Sequence, residues 1–231
     1  VLDKTSKQVL KMVGNYRSVF DIIGPVMIGP SSSHTAGAVA IGQEAYKLFN
    51  GTPKKVTVHY YGSFAQTHRG HGTDYAIAAG ILGYKTDDLR VPKAPEIAKK
   101  QGIDIRFVEE EGPSPISHPN TAVLDMTDGK KRIELSGCSI GGGAIEVRDI
   151  KLHGIEIKPT GPLPIVLLID KDKRKSNEEG LAKFLMEYAP FSVKHSYPAI
   201  DCNVDIYEIK NYIQDSLIGK LKDKFKTIVI L

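Results

Sequence analysis

Three short segments concentrate the side chains that could move protons or hold anions. Gly29-Pro30-Ser31-Ser32-Ser33-His34-Thr35 places consecutive hydroxyls directly ahead of a stretch that reads as a helix. The free backbone N–H groups of a helix N-terminus, together with Ser31, Ser32, Ser33 and Thr35, suit a carboxylate or a phosphate. A serine-rich helix cap accounts for the same residues without any ligand. The Gly-Lys-Ser/Thr ending of a nucleotide-binding loop is missing. Gly70-His71-Gly72-Thr73-Asp74 also precedes a helix, with Asp74 as its expected N-cap. The flanking glycines permit close backbone approach, and His71 at a second electropositive helix end has the proton affinity for acid–base work. His68 is expected to be a solvent-exposed loop residue. The third segment, Ser117-His118-Pro119-Asn120-Thr121, holds His118 ahead of a strand, where Pro119 biases it toward an extended backbone.

Two chemistries fit the trio His34, His71 and His118. Converging on one point, they could ligate zinc with an open fourth position, as in a hydrolytic or hydrating enzyme. Around an anion pocket, they would instead serve as base and orienting groups for proton abstraction next to a carboxylate. No H-x-x-x-H pair decides between these, and no G-x-S-x-G elbow supports a serine hydrolase. Gly141-Gly142-Gly143 lacks nucleotide-binding spacing and reads as a tight turn or bulge between strands. Cys138 and Cys202 are the only cysteines. Two thiols suit a reducing compartment and are too few to hold an iron–sulfur cluster alone.

The elements that must position these residues are read from periodicity. Residues 1–14 look like an amphipathic or frayed extension, and a small-residue helix runs from Thr35 toward Asn50-Gly51. Residues 55–65 alternate as a strand, 66–73 read as a polar loop, and 74–83 as a helix. A helix interrupted by Pro92 and Pro95 ends at Gly102, and strands follow at 103–110, 121–128 and across 131–150. Gly161-Pro162 and Pro164 mark a domain boundary, dividing the chain into an extension (1–14), a first domain (15–157) and a second domain (158–231). Beyond it the order is βαββαβ, the ferredoxin-like plan, with Ser176 to Glu179 expected as a capping box. The fold class is therefore α+β.

Hydrophobic residues make up 41% and charged residues 25% of the 231, with a formal net charge of +4. These are the proportions of a soluble globular protein. No apolar run reaches the ~18 residues of a membrane span, and no export signal is read at the start. The single basic cluster, Lys171 to Lys175, reads as a solvated loop rather than a nucleic-acid surface. The expected location is the cytoplasm.

Residues 16–42, YRSVFDIIGPVMIGPSSSHTAGAVAIG, closely resemble the β chain of the two-chain, iron–sulfur-dependent L-serine dehydratases. The likeness continues through VHYYGSFAQTHRGHGTD, ISHPNTA and LSGCSIGGGAIEV, and covers most of residues 16–150. It implies a first domain related to the allosteric-substrate-binding domain of some phosphoglycerate dehydrogenases and a C-terminal ACT-type regulatory domain. The effector-loop glycine usual in ACT domains is not evident in IDKDKRKSNEEG. The implied reaction removes water from L-serine, giving pyruvate and ammonia. A base takes the α-proton while the open iron of a 4Fe-4S cluster, held by a separate α chain, acts as Lewis acid on the hydroxyl. Carried over by motif, Ser31, Ser32, Ser33 and Thr35 would bind the substrate carboxylate. His34, His71 and His118 would line the site, with His71 as general base and His34 as the alternative. Gly72 would allow close approach, and Thr73, Asp74, His118 and Asn120 would orient the other groups. A different class of function fits the same motifs: a non-catalytic module that senses carboxylates or amino acids.

Overall fold

The computed structural model describes residues 33–231, with side chains from Thr35 onward. The 1–14 extension, Ser31, Ser32 and the side chains of Ser33 and His34 lie outside the described residues.

The chain opens with helix α1 (Ser33–Phe49), which leads into strand β1 (Lys55–Tyr61). In β1, Val56, Val58 and Tyr60 are buried in alternation, as a strand with one face on a core requires. Two helices follow, α2 (Gly62–His71) and α3 (Thr73–Ile81), then a 3-10 turn at Val91–Lys93 and helix α4 (Ala94–Lys100). Strand β2 (Asp104–Glu109) returns parallel to β1. A meander of β3 (Asn120–Thr127), β4 (Arg132–Gly141), β5 (Ala144–Leu152) and β6 (Ile155–Ile157) completes a six-stranded sheet of order β2-β1-β3-β4-β5-β6.

Helix α1 lies between this sheet and α3, which is why its apolar and small residues are buried nearly all round. Its small-residue surface brings backbones together: a Cβ on Gly80 of α3 would collide with the Val39 carbonyl and the Gly42 Cα. On the sheet side, a Cβ on Gly37 would collide with Ser139 of β4.

The second sheet is built from β7 (Ile165–Asp170), α5 (Lys175–Tyr188), β8 (Phe191–Pro198), β9 (Asn203–Ile209), α6 (Asp215–Lys224) and β10 (Ile228–Ile230). Its strand order is β10-β7-β9-β8, antiparallel throughout. One face, with Val166, Leu168 and Tyr207, packs with Leu181 and Leu185 of α5 and Leu221 of α6. The other face, with Leu167, Val204, Ile206 and Val229, joins the same apolar cluster as Val58, Leu124 and Leu135 of the first sheet. Each such side chain removed from water contributes ~1.5–3 kcal/mol.

Several local expectations are corrected. The first strand stops at Tyr61, because Gly62 takes a left-handed turn (φ 54°) and Ser63 N–H donates to the Pro119 carbonyl at 2.7 Å. The expected loop 66–73 is mostly helix α2. Near Pro92 and Pro95, a 3-10 turn at Val91–Lys93 comes first and α-helix begins at Ala94, with Pro95 in its first turn, where a missing N–H loses no intrahelical bond. Helix α5 has no side-chain cap at its first residues. Asp170, at the end of β7, accepts instead from Arg174 N–H (2.8 Å) and Asn177 Nδ2 (3.2 Å). The glycine run behaves as expected: Gly141 pairs with Ala144, and Gly142 and Gly143 (φ 61° and 86°) form the two-residue turn.

Candidate active site

Helix α2 ends at His71, Gly72 follows in the left-handed region (φ 69°), and α3 begins at Thr73. The chain reverses direction here within one residue, which glycine permits without steric cost. His71 is thus the exposed last residue of one helix rather than the first of the next, correcting its expected place at an electropositive end. Thr35 Oγ1 donates to the His71 carbonyl at 2.9 Å, tying the first turns of α1 to this reversal. The N-termini of α1 and α3 are therefore brought to one end of the layer. A helix N-terminus carries a partial positive charge.

Asp74 does not cap α3; Gly72 occupies that position. The Asp74 carboxylate faces His68 instead, at 2.6 Å from Nδ1, while His68 Nε2 faces Glu109 of β2 at 2.9 Å. His68 is only 3% exposed, which overturns its expected place on a solvated loop. The ring fastens α2 to α3 and β2. Its hydrogen bond, followed by the charge of Arg69, holds Glu109 below the usual carboxylate range. The Tyr60 ring lies over His68 with centroids 4.8 Å apart. Burial, then the nearby Asp74 charge, raises the Tyr60 hydroxyl well above the usual tyrosine value.

Around the same reversal, the hydroxyls of Thr73 and Tyr75 are buried with no hydrogen-bond partner among the described residues, while that of Tyr60 faces Asp74. Thr73 is fully buried at the first residue of α3, and the Tyr75 ring fills the space a Cβ on Gly72 would need.

The third motif reaches this layer by another route. A backbone bridge joins Gly62 to Asn120, whose Nδ2 donates to the Ser139 carbonyl at 3.5 Å, and Ser139 is the residue packed on Gly37 of α1. His118 Nδ1 accepts from Asn120 N–H at 3.1 Å. Burial first, and then the Arg148 charge, lowers the His118 pKa from its ordinary value of 6.5. A neutral ring is the form that can accept this bond. The structure thus gathers Thr35, His71, Gly72, Thr73 and Asp74 at one junction and links Asn120 and His118 to it through Ser139. The zinc arrangement of His34, His71 and His118 rests on a His34 side chain outside the described residues. His68 is the site-region residue that the sequence reading misplaced. The signal for it is the i, i+4 pair Phe64 and His68, both buried on one face of α2.

The two cysteines of this chain do not fit an iron–sulfur cluster. Cys138 lies in β4 of the first sheet and Cys202 just before β9 of the second. Both are free and buried, and burial pushes each thiol to about 11. No helix among the described residues is long and apolar enough to cross a membrane.

The described residues thus bring the start of α1, the exposed His71 and the buried Thr73 together at one end of an α+β protein. Residues 18–149 match the family described as serine dehydratase beta chain, and this chain belongs to that family. It is 52% identical over 158 residues to the probable L-serine dehydratase beta chain of Bacillus subtilis, covering 68% of this chain and 70% of that one. It is 38% identical over 160 residues to the L-serine dehydratase beta chain of Peptoniphilus asaccharolyticus, with the same coverage. L-serine dehydratase 2 of Escherichia coli is 33% identical over 108 residues, which is 44% of this chain and 23% of that protein.

Proposed function

We propose that this chain is the β subunit of an L-serine dehydratase, acting with an α chain that carries the 4Fe-4S cluster to convert L-serine to pyruvate and ammonia. The observation that carries the reading is the buried Thr73 hydroxyl at the start of α3, without a partner among the described residues, beside the exposed His71 and joined to α1 through Thr35. An unpaired buried hydroxyl costs ~1–3 kcal/mol, a cost that a ligand oxygen would offset. In this reading the substrate carboxylate lies at the two helix N-termini, bound by Ser31, Ser32, Ser33, Thr35 and Thr73. His71 takes the α-proton of serine, with His34 as the alternative base. Asn120 and His118 orient the groups opposite, and the His68–Asp74 pair holds the turn that carries His71. The βαββαβ unit acts as an ACT-type regulatory module. The cluster belongs to the α chain, because the cysteines here do not suit it.

The test is His71→Ala in the chain assembled with its α partner. Serine-to-pyruvate turnover falls by about a hundredfold or more in a variant that still folds and assembles. Near-normal turnover would remove His71 from the role of base.

A further inference from the structure

We propose that His153, Asp201 and Cys202 form a binding site for one zinc-class divalent ion, joining the β5–β6 hairpin to the turn ahead of β9. This is the one group of three metal-capable side chains among the described residues, and its donor atoms all lie within 4.8 Å of one another. The proposal is independent of the site at His71.

The three residues come from different sheets. His153 sits in the two-residue turn between β5 and β6 with φ 51°, a left-handed conformation usually given to Gly or Asn. Its Nδ1 lies 3.0 Å from Asp201 Oδ2. The facing turn is held from behind: Ala199 N–H donates to the Cys202 carbonyl at 2.9 Å, and Lys173 Nζ donates to the carbonyls of Ala199 (2.8 Å) and Ile200 (3.1 Å). Cys202 forms the buried floor, His153 the partly buried wall and Asp201 the solvent side. An imidazole nitrogen, a carboxylate oxygen and a thiolate are the donor set of a borderline-soft ion such as zinc, with a fourth position left for water. On binding, the ion displaces the His153–Asp201 hydrogen bond. The Cys202 S–H bond breaks, its proton goes to solvent, and a sulfur–metal bond forms, so one proton is released per ion. The three donor atoms, all within 4.8 Å of one another, have room for one ion, which sets the stoichiometry at one.

The reduced, metal-free full chain is titrated with cobalt(II) chloride, and then with zinc chloride in competition. One equivalent of cobalt is expected to give a near-ultraviolet thiolate-to-cobalt absorption, bleached by zinc. Cys138→Ser should leave the band intact and Cys202→Ser should abolish it. Asp201→Asn changes only an exposed residue, and His153→Asn installs a residue at ease with positive φ, so both variants keep the fold. Each should weaken cobalt binding by about tenfold or more. A folded chain that shows no thiolate band at saturating cobalt overturns the site. So does a band that survives Cys202→Ser, or an affinity unchanged in Asp201→Asn.

Discussion

In the second sheet Asp170, Asp205 and Glu208 are all buried, and each carboxylate has a donor. Asp170 takes Arg174 N–H, Asp205 takes Ser196 Oγ, and Glu208 takes the Thr160 N–H (2.7 Å) and hydroxyl. Around the α2–α3 reversal beside the first sheet, the buried hydroxyls of Thr73 and Tyr75 have none among the described residues. Buried polar groups are normally paired, so a local cluster of exceptions points to a functional role. The contrast separates a region whose polar groups are satisfied by its own chain from one arranged for something that comes from outside it. The same division holds for the glycines. Those between α1 and α3 sit against backbone, whereas Gly219 in α6 has open space beside it.

The largest effect is expected where backbones touch. Gly80→Ala gains ~1 kcal/mol of helix propensity, but its Cβ meets the Val39 carbonyl and the Gly42 Cα, neither of which can swing away as a side-chain end would. Overpacking of this kind costs ~1–3 kcal/mol and sometimes more. With three backbone atoms under 3.0 Å from that Cβ the cost belongs at the top of the range, ~3 kcal/mol, and urea unfolding should show a net loss of about 2 kcal/mol. The same substitution at Gly219 should keep its propensity gain, up to ~1 kcal/mol. Equal losses at the two positions would erase the distinction between them.

The polar groups are compared by a second pair. Asp170→Ala leaves the Arg174 N–H and the Asn177 amide without their acceptor and should cost ~1–3 kcal/mol. Thr73→Val removes a hydroxyl that has no partner to lose, so stability should hold or rise by up to ~1 kcal/mol. In the assembled enzyme, however, the same variant should raise KM for serine about tenfold, the equivalent of ~1.4 kcal/mol. If Thr73→Val destabilises as much as Asp170→Ala, its hydroxyl is paired within the protein and the argument for a ligand there fails.

Much of this was legible from periodicity. The alternation read over 55–65, of which 55–61 is strand, the strand read at 121–128, the Gly141–Gly143 turn and the βαββαβ order after Pro164 all follow local rules. Helix α2 was hidden because QTHRGH is polar and glycine-bearing, and its buried face is completed by a histidine rather than an apolar residue. Asp74 and Ser176 look like caps by type and position. Tertiary partners decide otherwise: His68 takes the Asp74 carboxylate, and Asp170, five residues ahead of Lys175, serves the start of α5. The meeting of His153 with Asp201 and Cys202 depends on how two sheets pack, and no spacing in one sequence encodes it.

The smallest effect tests how the third motif is held. Burial, with the Arg148 charge second, makes the folded chain bind a proton at His118 less readily than the unfolded chain does. The His118 contribution to stability is therefore constant well above pH 6.5 and declines as pH falls through 6.5 toward the lower folded value; below both it is level again. The same protonation removes the acceptor for Asn120 N–H. The imidazole C–H resonance of His118, followed by NMR, should titrate with a midpoint below 6.5. In Arg148→Gln it should recover only part of the difference, because burial is the larger cause. A midpoint at or above 6.5 would mean that the ring is hydrated and free of Arg148, and the path from His118 through Asn120 and Ser139 to α1 would lose its first step.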